Sequence, residues 1–124
     1  MPEMTAAAQP ALLVVCLCAQ WCGVCRDYVS RFSQVQASVQ AEWPQAQFFW
    51  IDVEDEADLL HPLDIENFPT LLLAVGSEPR FLGPLTPQAQ TLERLIRTTL
   101  EGSPALTDPE LVALVARIRA AKGC

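Results

Sequence analysis

Two thiols separated by two residues, Cys22 and Cys25, lie in the segment Trp21-Cys22-Gly23-Val24-Cys25, just after an unbroken apolar run from Ala11 to Cys18. Cysteines at this spacing, set between a buried strand and the first turn of a helix, can close and reopen a disulfide at little backbone cost. The helix N-terminus offers unpaired N–H groups and a partial positive charge, which favour a thiolate over a thiol at Cys22. The thiolate is the nucleophile of disulfide exchange, so the chemistry indicated is thiol–disulfide redox.

Other residues of chemical type compete for attention. Cys16 and Cys18 extend the pattern to C-x-C-x3-C-x2-C, and four thiolates can hold zinc or an iron–sulfur cluster. Against a cluster, the reading expects Cys16 and Cys18 to point to opposite faces of their strand, so that the four sulfurs do not converge and the site holds no metal. Cys16 is then core packing, with a third redox thiol as the minority reading, and Cys124 an inert terminal residue. His61 is the sole histidine and sits beside Pro62 with no catalytic partner in view. The acidic run from Asp52 to Asp58 lacks the glycine and terminal glutamate of a calcium loop and reads as a solvated helix start.

These residues need elements to hold them. Ala11 to Cys18 is apolar throughout and β-branched at its centre, as a strand covered on both faces requires. From Cys22 to about Gln40, Cys25, Val29, Phe32, Val35 and Val39 recur at three- and four-residue steps and predict one helical stripe. Gln47 to Val53 predicts a second buried strand, parallel to the first because a helix connects them. The acidic stretch opens a short helix limited by Pro62. Thr70 to Val75 is a third strand, and Gly76-Ser77-Glu78-Pro79 turns it into a hairpin with Arg80 to Gly83. Pro87 or its neighbours start another helix, with Leu92, Leu95, Ile96 and Leu100 on one face. Thr107-Asp108-Pro109-Glu110 opens a last helix with a cap residue, proline at the first helical position and an acidic first turn, and Leu111, Leu114, Val115 and Ile118 give it a stripe expected to pack in the core.

With 124 residues, 51% hydrophobic and 19% charged, the chain suits one packed domain. A net charge of -7 with no basic stretch disfavours nucleic acid and anionic membrane surfaces as partners. Nothing before Arg26 is basic, so the N-terminal apolar run lacks the flank of a secretory signal, and its eight residues are short of a membrane span. Five cysteines without a spaced framework fit a reducing compartment. A cytoplasmic protein, monomeric or weakly dimeric, is expected.

The order strand, Trp21-Cys22-Gly23-Val24-Cys25, helix, strand, short helix, Asn67-Phe68-Pro69-Thr70, hairpin, helix resembles the thioredoxin family over roughly residues 11–100. Gly83, followed by a Leu-Thr-Pro entry to a helix, is a third and weaker match. The resemblance implies an α/β three-layer sandwich with a mixed four-stranded sheet flanked by helices. It is truncated at its N-terminus relative to thioredoxin: residues 1–10 form a loose leader, 11–101 the core and 105–122 an additional C-terminal helix. It also implies a thiol–disulfide oxidoreductase of the protein disulfide reductase type, contributing to cell redox homeostasis. Cys22 would be the attacking thiol and Cys25 the resolving one, their disulfide serving as the redox centre with no other cofactor. Pro69 would be cis against the dithiol, with Trp21, Gly23, Val24, Phe68 and Thr70 as supports. Partners would be disulfide-containing protein substrates and a reductase or other thiol electron donor.

The departures from the family pattern carry expectations of their own. Val24 stands where proline is usual, which suggests a more oxidising couple. Cys16 and Phe48 stand where the family has a buried aspartate and its lysine partner, so resolution of a mixed disulfide is expected to be slow. The family's first strand and helix have no counterpart before Ala11, which would leave the Phe48 to Val53 strand at a sheet edge. The alternative is a binding or scaffold protein of the same fold with weak or no turnover.

Overall fold

Residues 11–124 are described by a computed structural model; the expected leader, residues 1–10, lies outside them. The strands are β1 (Leu12–Cys18), β2 (Gln47–Asp52), β3 (Thr70–Val75) and β4 (Glu78–Pro84); the helices are α1 (Gly23–Glu42), α2 (Ala57–Leu60), α3 (Ala89–Glu101) and α4 (Pro109–Lys122). The four strands form one mixed sheet in the order β2-β1-β3-β4, with β1 parallel to β2 and antiparallel to β3.

All seven residues of β1 are buried, the consequence of helices on both faces of a central strand. Leu12, Val14, Cys16 and Cys18 face a layer built from α1 and α3, with Phe32, Val35, Val39, Leu92 and Ile96. Leu13, Val15 and Leu17 face the opposite layer, where Leu60 of α2 meets Leu114, Val115 and Ile118 of α4. The α4 stripe is thus part of the core, and the α/β three-layer sandwich is complete on both sides of β1. Among the described residues β2 is an edge strand, and only Phe48 and Ile51 on it are buried.

Two expectations about the helices need correction. Val29 does not belong to the buried stripe of α1; it is exposed and Tyr28 is buried in its place, since Tyr28 sits between Cys25 and Phe32 at steps of three and four. The third helix begins at Ala89, beside Pro87 as expected. The last helix starts at Pro109, where the cap and first-turn proline put it, and not at residue 105 as the segment bound had it. Asp108 caps it by accepting the Glu110 N–H, while the preceding segment is held extended by the Leu106 N–H to Pro79 carbonyl bond and by the Arg80 guanidinium donating to the Ser103 carbonyl.

Arginines rivet α4 to the backbone of the core. Arg119 donates to the carbonyls of Gly76 and Ala11 at 2.8 and 2.9 Å, and Arg117 to those of Leu59 and His61 at 2.9 and 3.1 Å. Gly76, at φ 62°, supplies the left-handed turn between β3 and β4 that presents its carbonyl to Arg119. Replacing Arg119 with alanine is expected to cost about 2 kcal/mol, since charge-assisted bonds are among the stronger hydrogen bonds. The denaturant midpoint should fall while the slope stays constant; an unchanged midpoint would show that α4 is held by its apolar face alone.

Candidate active site

The C-terminal end of β1 delivers the chain into the site. Cys18 pairs with Asp52 at the end of β2 and Leu17 with Thr70 at the start of β3, so the Ala19-Gln20-Trp21 loop leaves the sheet between these neighbours. Cys22 is the N-cap of α1, extended at φ -83° and ψ 120°, and its carbonyl accepts the Arg26 N–H. Its side chain makes no capping bond; it is half-buried against the α1-side core and carries a free thiol. Cys25, three residues on and in the same first turn, faces inward and is only 1% exposed. Gly23 and Val24 lie between them on the outside of the turn, both exposed.

The second half of the site comes from the segment entering β3. The Phe68–Pro69 peptide is cis, as is His61–Pro62. Thr70 is buried and its hydroxyl donates to the Asn67 carbonyl, closing a local turn around Pro69. Trp21, 62% exposed, meets Phe68 edge-on with ring centroids 5.6 Å apart, so the two segments make one aromatic surface. An apolar cleft lined by Ala19, Gln20, Cys25, Arg26, Val29 and Trp50 reaches Cys25 from the side of β2.

The disulfide differs from the expected Cys22–Cys25 pair: Cys25 is bonded to Cys18, with Cα atoms 5.8 Å apart, and Cys22 is free. The physical reason lies in strand geometry. Residues two apart on a strand share a face, so Cys16 and Cys18 point the same way, toward α1, and not to opposite faces as expected. Cys18, the last residue of β1, therefore lies under the inward-facing Cys25. Cys16 sits one step deeper, its S–H donating to Cys18 Sγ at 3.7 Å.

Burial pushes the Cys16 thiol well above the ordinary cysteine range, so it remains protonated. The Tyr28 hydroxyl is buried without a hydrogen-bond partner, and burial, together with the neighbouring Cys16, raises its pKa as well. Phe48 is on the same side, stacked edge-on against Phe32 at 5.6 Å, so the layer behind the thiols is apolar where an ion pair was the alternative. Among the described residues, no group of three or more His, Cys, Asp or Glu side chains is arranged to hold a metal ion. His61 is exposed, its carbonyl taken by Arg117. Cys124 packs against the α4-side cluster instead of hanging free.

Asp52 is the positioning residue that sequence reasoning missed, having been read as part of the second strand and of a solvated acidic run. Its carboxylate accepts the N–H groups of Glu54 and Asp55 at 2.9 and 3.0 Å and that of Gln20 at 2.9 Å, tying the loop before Trp21 to the end of β2. An aspartate followed by a polar turn is the available signal. These bonds, the one from Asp55 foremost, lower its pKa. A lowered carboxylate pKa stabilises the fold above the unfolded-state pKa, and that stability is lost as the pH falls through the folded value. Asp52→Asn should therefore be less stable than the parent at neutral pH, and the two midpoints should converge in strong acid; a constant gap would separate Asp52 from this linkage.

A β-α-β unit with a half-buried N-cap thiol, a buried disulfide-bonded cysteine one turn behind it and a cis-proline segment leading into β3 is that of the thioredoxin fold. The thioredoxin family model matches residues 3–97, and the chain belongs to that family. It is 35% identical over 72 residues to thioredoxin-1 of Saccharomyces cerevisiae, covering 56% of this chain and 63% of that protein. It is 28% identical over 99 residues to protein disulfide-isomerase A4 of Bos taurus, covering 78% of this chain and 15% of that protein. Among solved structures, a chloroplastic thioredoxin z superposes with a TM-score of 0.60 at 25% identity, over 82% of this chain and 88% of that one. The matches thus span less than two thirds of these two sequence relatives.

Proposed function

We propose that this protein is a thiol–disulfide oxidoreductase of the protein disulfide reductase type, with Cys22 as the attacking thiol and Cys25 as the resolving one. The observation that carries the reading is a free, half-exposed Cys22 at the N-cap of α1, one turn before a buried Cys25 and flanked by the Trp21–Phe68 surface. Membership of the thioredoxin family supports it. In the cycle Cys22 attacks a substrate disulfide and releases one substrate thiol; Cys25 then attacks Cys22 Sγ, releasing the second thiol and leaving the pair oxidised. A thiol electron donor returns it to the dithiol, and no other cofactor is needed.

Trp21, Phe68 and the backbone beside Pro69 receive an extended segment of a disulfide-containing protein. Val24 makes the couple more oxidising than a proline there would. With Cys16 and Phe48 replacing an ionic pair, no buried acid or base among the described residues assists Cys25, and resolution is the slow step. The working place is the cytoplasm, where the protein contributes to redox homeostasis as a monomer or weak dimer. Insulin reduction driven by an excess of a small dithiol tests the activity: catalytic turnover is expected. A dithiol that opens and closes in redox buffer without turnover would favour the binding or scaffold alternative.

A further inference from the structure

We propose that Cys18 is a third redox residue, and that Cys25 exchanges its disulfide partner between buried Cys18 and half-exposed Cys22. The inference rests on the reading of Cys22 as the attacking thiol. It concerns how the protein stores an oxidising equivalent, not whether it reduces substrates.

Four sulfurs are ranked by depth. Cys22 is half-buried at the surface, Cys25 is inward on the same helical turn, Cys18 is fully buried at the end of β1 and bonded to Cys25, and Cys16 lies 3.7 Å beyond it. With Cys18 0% and Cys25 1% exposed, the Cys18–Cys25 bond presents almost no surface to a protein substrate, although a narrow cleft runs beside Cys25. Cys22 can reach it, because residues three apart on a helix are neighbours and it packs against the same cluster. Cys16 is the other free thiol at hand, but its burial keeps it protonated, and thiols attack as thiolates.

The step is an internal exchange with no net oxidation. The Cys22 thiolate attacks Cys25 Sγ, the Cys22–Cys25 bond forms and the Cys18–Cys25 bond breaks. Cys18 leaves as a thiolate and takes up one proton, balancing the one Cys22 gave to solvent. The Cys16 S–H already aims at Cys18 Sγ and can donate to the departing sulfur. In the Cys18–Cys25 state the surface thiol stands alone and can capture a substrate disulfide without resolving it. In the Cys22–Cys25 state the oxidising equivalent is within reach of substrate thiols. This gives Cys18 and Cys16 a role that packing alone does not.

The test is disulfide mapping of the full chain after stoichiometric oxidation with diamide, acid quenching and alkylation. Cleavage after Leu17 and after Trp21 separates Cys16, Cys18 and the Cys22–Cys25 fragment. In Cys22→Ser, an intramolecular bond joining Cys18 to Cys25 is expected. In the parent, the Cys18–Cys25 form should convert to a mixture with Cys22–Cys25 on incubation at neutral pH without reductant. In Cys18→Ser, Cys22 should be protected from alkylation in nearly all oxidised molecules, against a partial fraction in the parent. Absence of the Cys18–Cys25 bond from Cys22→Ser overturns the proposal, as does failure of the parent's two forms to interconvert. Should Cys18→Ser not fold, the parent and Cys22→Ser still decide the matter. Parent turnover of insulin in excess dithiol, where every internal disulfide is open, reads the reductase function separately, so the two readings can fail independently.

Discussion

Cys22→Ser is expected to lower insulin reduction by at least about 10³-fold, the scale on which loss of a covalent nucleophile acts in other enzymes. The substitution is a clean one because of where Cys22 lies. At the N-cap of α1 its side chain makes no hydrogen bond, and serine is among the residues that position prefers. The variant should therefore fold, with a melting temperature equal to or slightly above the parent's. Loss of turnover in a folded protein then reports chemistry. Cys25→Ser should behave differently, retaining attack but accumulating a mixed disulfide at Cys22 that mass spectrometry can read. Full turnover in Cys22→Ser would remove the mechanism, whatever the fold.

The second large effect is on stability. Phe32→Ala is expected to cost about 3–5 kcal/mol, the range for deleting a buried aromatic ring. Phe32 is 4% exposed and central to an aromatic group, with ring centroids 5.6 Å from Phe48, 5.7 Å from Trp50 and 6.3 Å from Tyr28. These neighbours come from both α1 and edge strand β2, so they cannot collapse together to fill the gap without moving one element against the other. Against a total stability of roughly 5–15 kcal/mol for a domain of this kind, a loss of that size is a large share. A urea titration followed by tryptophan fluorescence measures it. Because α1 also carries Cys22 and Cys25, activity well below the melting transition should fall in the same variant; a midpoint shift below about 1 kcal/mol would mean the group repacks.

Much of this molecule was readable before the structure. The apolar run of β1 demanded cover on both faces, and the structure supplies it from α1 and α3 on one side and from α2 and α4 on the other. Cys22-Gly23-Val24-Cys25 at a helix start and Phe68-Pro69-Thr70 at the turn into a strand were each written in consecutive residues, while their joining in one site came only from the resemblance to the family. The errors were of a different kind. Placing Val29 in the stripe instead of Tyr28 is a choice between two positions at helical spacing, which only the facing sheet can settle. The start of the last helix was written locally in Asp108 and Pro109, whereas the extended path of residues 103–106 depends on Pro79 and Arg80, remote in sequence.

The sequence by itself determined that two cysteines would stand at a helix start behind a buried strand, since spacing, capping and apolar pattern are properties of neighbouring residues. Only the tertiary structure decided which sulfur Cys25 meets. That depended on Cys16 and Cys18 sharing the face of β1 that α1 covers, and on the end of β1 lying under the first turn of the helix, a relation between elements that no local spacing encodes. Asp52 shows the same division: an aspartate at a strand end is written in the sequence, but its hold on Gln20, and through it on the loop that presents Trp21, exists only because β1 and β2 run side by side.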